Sequence, residues 1–328
     1  MALNKNIKLI LNYVVGPALI LFLFYTVSRQ LQQQRGWKNS LHQIGEALTG
    51  KQCWKLYGMF ALMGVNWGLE AAKWQISMLP IQRVGYLRAF KAILAGACIA
   101  SFTPNRVGEY LGRMLYVDPG NKVRSVAPAI VCSMAQMLIT LLAGSVALFL
   151  FAHYIPAYPE VLPFAPYLKV MLLMTLLSAV LLATLYFRFD PLVHRVNRLL
   201  IKYNRAIYIP ENFSNRMLLK ILFISLVRYA VFLLQYLLLF SLFAVNVDAL
   251  QVFVGVGVMF VVMAMVPSLT FLTDLGLRWE AGIQIFRVFT FNTAGILAVS
   301  LGIWLINLII PALIGSLLIL RIKLFSSR

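Results

Sequence analysis

Six apolar stretches, each of about twenty residues or more, leave this chain one class of fold. They cover residues 7–26, 54–79, 126–152, 167–187, 217–245 and 293–320. Within hydrocarbon a segment must satisfy its own backbone N–H and C=O groups, which only helices and closed barrels achieve. Runs this long without polar alternation read as helices. The expected fold is therefore an all-α polytopic membrane protein. Composition agrees: 61% of the 328 residues are hydrophobic and 12% charged, where a soluble domain is about half apolar and a quarter charged.

Two further segments, 89–116 and 250–289, begin apolar and then break. The first break reads SFTPNRVGEYLGR from Ser101 to Arg113, and the second VPSLTFLTDLGLRWE from Val266 to Glu280. Proline removes a backbone donor and frees a carbonyl. Irregular backbone at membrane depth is tolerated only inside protein or beside a water-filled cavity. Pro104 and Pro267 thus point to a cavity, and paired broken segments in two halves point to a transport site.

The formal charge is +19. Basic residues lie mostly between apolar runs, as in loops facing anionic lipid, and the usual basic modules for nucleic acid are absent. The segment 187–220 holds seven Lys or Arg residues and is expected to be cytoplasmic, whereas 152–166 has none. If both broken segments are re-entrant hairpins, the N-terminus and the basic tail also fall on the cytoplasmic side. If they are full spans, both termini fall outside. Charge favours hairpins, although the outer loop 28–55 carries five basic residues.

On this topology one membrane domain divides into a first span and outer loop (1–53), a repeat unit (54–152), a linking span with a basic segment (153–216) and a second unit (217–321). The two units would be oppositely oriented, an inverted repeat. In the linker, Leu192, Val193, Val196, Leu199, Leu200 and Tyr203 share one helical face, and Arg195, Arg198, Lys202 and Arg205 another. That is an interfacial amphipathic helix.

The broken segments supply the candidate site. Arg106, Glu109 and Arg113 are spaced to share a helical face. With Pro104, Asn105 and Gly108 they form a net-positive wall suited to a phosphate, since arginine offers paired donors to its oxygens. Gly108 and Gly112 admit a close backbone. Pro267, Ser268, Asp274, Gly276, Arg278 and Glu280 form a net-negative counterpart. Arg106–Glu109 and Arg278–Glu280 would alternatively be interfacial pairs that only anchor the hairpins. Intramembrane polar residues Glu70, Lys73, Gln136, Arg228 and Gln235 support the site. Arg228 is expected to meet Glu70, Glu109 or an acidic residue of the second hairpin.

Cys53, Cys98 and Cys132, with His42, His153 and His194, show no metal-ligand spacing, and no cofactor or metal is expected. No hydrolase, metalloprotease or nucleotide-binding motif occurs.

The stretch Pro104-Asn105-Arg106-Val107-Gly108-Glu109-Tyr110-Leu111-Gly112-Arg113, with Pro267 and Gly276-Leu277-Arg278-Trp279-Glu280 later, resembles the lysylphosphatidylglycerol synthase transmembrane region, or flippase-like domain, over nearly the whole chain. Leu269–Leu275 stands where that family usually has a glycine-rich stretch. The resemblance implies a lipid translocator of the inner membrane, without the soluble domain that aminoacylates lipid in fused members. Its partners would be membrane lipids with anionic headgroups. A membrane-embedded transferase on a lipid-linked substrate, or a non-catalytic partner of a lipid- or glycan-modifying enzyme, fits the same spans.

Overall fold

The computed structural model describes residues 53–103, 106–154, 165–202, 213–266 and 271–320. The expected first span, Pro104, Asn105, Pro267, Ser268 and the tail 321–328 lie outside the described residues. Those described form helices and no strand. In order they are α1 (Cys53–Ser77), α2 (Tyr86–Ala100), α3 (Gly108–Met114), α4 (Val126–Tyr154), α5 (Leu168–Phe187), α6 (Phe189–Lys202), α7 (Asn215–Leu242), α8 (Ala249–Met265), α9 (Phe271–Phe286), α10 (Thr293–Trp304) and α11 (Ile310–Leu320). A π turn, Leu305–Ile309, joins α10 to α11 without a break. Among the described residues, four helices are long and apolar enough to cross a membrane: Val126–His153, Leu168–Phe187, Asn215–Leu242 and Thr293–Ile319.

Local chemistry sets several helix starts. The Ser214 hydroxyl accepts from the Met217 N–H ahead of α7. Asp248 and Gln251 form a reciprocal capping box at α8. Asn292 accepts from Gly295 N–H at 2.9 Å and opens α10. Along α6, Phe189, Val193 and Asn197 are buried while Arg195 and Arg198 are exposed. The Asp190 carboxylate accepts the Phe213 N–H at 3.1 Å and ties α6 to the lead-in of α7. Most of α5 faces outward, with Val170, Leu173, Leu177, Val180 and Leu181 exposed, as befits a lipid-facing helix.

Helices α1 and α7 pack together at the centre. Around them α2 packs against α3 and α11, and α8 chiefly against α4. Glycines make room at the α2–α11 and α4–α8 crossings. A β-carbon at Gly315 would collide with the Leu94 carbonyl of α2, and one at Gly144 with the Val261 side chain of α8. Leu94 lies eight residues into α2, and Gly257, which meets Ala147 of α4, lies eight residues into α8.

The segment 86–114 doubles back on itself. Gly108 abuts the backbone of Ile99 and Gly112 that of Ala95, so α3 runs antiparallel against α2 with no side chain between. Helices α8 and α9 also turn back: Phe286 near the end of α9 packs on Gly255 early in α8. With 15 and 17 residues, α2 and α8 reach about 22 and 26 Å at 1.5 Å per residue, short of a hydrocarbon core of about 30 Å.

Candidate functional site

Glu70 is the hub of a buried ion cluster. It sits mid-way along α1, one turn from Lys73, whose ammonium lies 2.7 Å from its carboxylate. Arg113 of α3 donates to Glu70 Oε1 at 2.9 Å, and Arg228 of α7 to Glu70 Oε2 at 2.6 Å. Arg113 also donates to Glu109, one turn earlier on α3. Arg106 lies 3.9 Å from the other Glu109 oxygen, its side chain 49% exposed. Glu70, Lys73 and Arg113 are buried. The close approach of α3 to α2 is what brings Arg113 within reach of α1, because glycines rather than side chains separate those helices.

Arg228 therefore meets Glu70, of the three acidic partners the sequence leaves open. Its Nε also donates to Asn66, and Nη1 makes a longer contact with Gln136 of α4 at 3.4 Å. From Asn66 the polar thread continues across the bundle. Asn66 Nδ2 faces Asn307 Oδ1 at 3.5 Å, and Asn307 Nδ2 donates to Gln235 Oε1 at 3.0 Å. Asn307 lies in the π turn, an irregularity frequent at functional sites.

A cavity of about 260 Å³ opens on this cluster, lined by Trp67, Glu70, Lys73, Arg106, Glu109 and Arg228, with Cys132, Ser133, Gln136, Met137 and Thr140 of α4. Beside it lies a groove of about 540 Å³ whose walls are mostly apolar: Ile130, Met134, Leu182, Met263, Ala264 and Val266, with Tyr110. The two share Arg106, Ser133 and Met137. Arg106 thus stands at the boundary between a charged chamber and an oily one. Its backbone is left-handed, at φ 59°, a conformation that costs a non-glycine residue about 1–2 kcal/mol and recurs where geometry serves function.

Charge is unbalanced here. Lys73, Arg106, Arg113 and Arg228 gather around two carboxylates, Glu70 and Glu109. The excess is two positive charges. The carboxylates are engaged by these cations, so an incoming group meets donors rather than acceptors.

The second broken segment builds a smaller pair. Arg278 lies 3.3 Å from Asp274 and donates to the Tyr236 hydroxyl of α7 at 3.0 Å. The alternative pairing of Arg278 with Glu280 does not form. Residues two apart on a helix point to different faces, whereas four apart they are neighbours. Glu280 is exposed and accepts from Gln284. Gly276 has open space around it. Asp274, Arg278 and Glu280 line neither of the two cavities. Among the described residues, no three His, Cys, Asp or Glu side chains gather as metal ligands would.

Asn66, Trp67, Tyr236 and Asn307 join the site without having been singled out from sequence. The available signal was thin: isolated polar atoms in long apolar runs. A family model described as the lysylphosphatidylglycerol synthase TM region matches residues 9–315. Comparison with curated proteins and with solved structures returns no match.

Proposed function

We propose, on the premise that this chain belongs to the lysylphosphatidylglycerol synthase transmembrane-region family, that it is a membrane lipid translocator carrying a phospholipid or other lipid-phosphate between leaflets. Membership and the apolar helices make it a multi-pass membrane protein with a lipid-related function. One observation carries the further step: a net-positive cavity and an apolar groove share a wall at Arg106, Ser133 and Met137. A lipid has that same division, a charged phosphate joined to hydrocarbon. Its headgroup would occupy the charged chamber against Arg106, Lys73 and Arg228. An acyl or prenyl chain would lie along Met134, Leu182 and Met263.

Alternating exposure of such a site is the natural work of an inverted repeat, and the packing supports one. If α1 to α4 correspond to α7 to α11, the α2–α11 crossing answers the α8–α4 crossing. Gln136 lies eight residues before Gly144, and Asn307 eight before Gly315. Gln136 contacts Arg228 of α7, and Asn307 contacts Asn66 of α1, as a two-fold relation requires. Glu109–Arg113 and Asp274–Arg278 are acid–arginine pairs at the same i, i+4 spacing on the two short helices. The doubled-back α2–α3 and α8–α9 segments read as re-entrant hairpins, and loop charge then assigns both termini to the cytoplasm. The inner membrane is the setting that this charge bias fits.

No nucleotide-binding motif is present, so transport is downhill or ion-coupled. The test is a leaflet assay in proteoliposomes. Headgroup-labelled lipid should become accessible to an external quencher faster than in protein-free vesicles, and Arg106→Ala should slow it. Equal rates with and without protein would sink the proposal.

A further inference from the structure

We infer that the charged cavity selects a lipid ending in a phosphomonoester, a terminal dianionic phosphate, over phosphodiester lipids and above all over those bearing an ammonium group. This rests on the reading of the cavity as a lipid headgroup site and deepens it.

Three observations carry it. The first is the donor–acceptor inventory. Glu70 already accepts from Lys73, Arg113 and Arg228, and Glu109 from Arg113. Asn66 Oδ1 and Gln136 Oε1 are both taken by Arg228. By contrast Lys73, Arg106 and Arg228 all stand in the cavity wall, and the exposed half of the Arg106 side chain, 3.9 Å from Glu109, is the most open donor there. These cations favour a guest rich in acceptors. A phosphate brings oxygens. An ammonium brings more donors to a site whose carboxylates are occupied.

Charge magnitude is the second. The cluster carries an excess of two positive charges. A phosphomonoester carries about −1.5 to −2 near neutrality, its second pKa lying at about 6. It neutralises the excess, while a diester leaves about half of it. A zwitterionic headgroup leaves it all.

Size and surroundings are the third. A chamber of about 260 Å³ holds a phosphate with several waters, at roughly 30 Å³ each. The adjoining apolar groove distinguishes a lipid guest from free phosphate, which would have no use for it.

The experiment uses the full chain in nanodiscs of phosphatidylcholine. Titration with phosphatidic acid, phosphatidylglycerol and phosphatidylethanolamine is followed by thermal stabilisation and by native mass spectrometry, with inorganic phosphate as a competitor. Phosphatidic acid is expected to bind about tenfold tighter than phosphatidylglycerol, and that preference should shrink at pH 5, where the phosphate is singly charged. Lys73→Met, in the cavity wall, removes one of the two excess charges and should weaken phosphatidic acid about tenfold while leaving phosphatidylethanolamine unchanged. Arg106→Gln, at a half-exposed side chain, provides an independent variant should Lys73→Met fold poorly. Equal affinity for the three lipids overturns the inference, and so does displacement of the lipid by inorganic phosphate at matching concentration. Selective binding without movement between leaflets would defeat the translocation reading alone. Movement indifferent to headgroup would defeat this inference alone.

Discussion

Replacing Glu70 with glutamine tests the cluster most directly. The side chain keeps its shape and loses its charge, leaving Lys73, Arg113 and Arg228 facing one another at the positions where each lay 2.6–2.9 Å from a carboxylate oxygen. Removing one partner of a buried ion pair typically costs about 3–5 kcal/mol. Three cations depend on this one carboxylate, but their contributions are coupled and do not sum. At about 2–4 °C per kcal/mol for a large domain, Glu70→Gln should lower the melting temperature in detergent by on the order of 10 °C. The double variant Glu70→Gln with Lys73→Met removes one charge of each sign, so it should recover about half of the loss. Fluorescence-detected thermal unfolding of the purified single and double variants supplies the cycle. A single variant within about 2 °C of the parent, or a double variant worse than both singles combined, would refute the claim that Glu70 holds α1, α3 and α7 together.

Arg106→Gly should be more stable than Arg106→Ala by about 1 kcal/mol, since glycine accepts the left-handed backbone freely; both should slow transport, and chemical denaturation would separate the effects. Gly315→Ala, which drives a β-carbon into the Leu94 carbonyl, should cost about 1–3 kcal/mol. Gly276→Ala, with open space around it, should change thermal stability by less than about 1 kcal/mol. Arg113→Lys should be destabilising because one ammonium replaces the planar fork spanning Glu70 and Glu109, and it should register as a lower melting temperature. Glu280→Gln, altering an exposed residue bonded to Gln284, should leave lipid movement at the parental rate.

Hydropathy places α4, α5, α7 and the α10–α11 helix within a few residues of where they stand, because a span announces itself by length; α1 is a helix where the run 54–79 predicts one, but its charged and polar residues keep it out of the helices apolar enough to cross a membrane. The doubling back of 86–114 is foreshadowed by Pro104 and by the glycines four apart. What the sequence withholds is partnership. Arg228 has three acidic candidates on paper, and the choice of Glu70, 158 residues away, follows only from α1 crossing α7 at the right height. Asn66 and Asn307 read as ordinary helix–helix glue until the π turn brings one to the other. Trp67 reads as one more apolar residue, although it lines the cavity.

The interlocked crossings change which parts of this molecule can move together. Gly315 meets α2 at backbone distance, and at the α4–α8 crossing Gly144 and Gly257 make room for the Val261 and Ala147 side chains. Neither pair can slide by a helical turn without steric collision, since packed interiors yield little. Helices pinned in this way would move as groups drawn from both halves of the chain: α2 and α3 with α11, and α4 with α8. The groove beside Arg106 is walled on one side by Arg106 and Tyr110, in the segment that Gly108 and Gly112 hold against α2, and on the other by α4, α5 and α8. A swing of one group against the other would widen or shut that slot while leaving every tight crossing intact. The glycines thus decide which helices would have to move together.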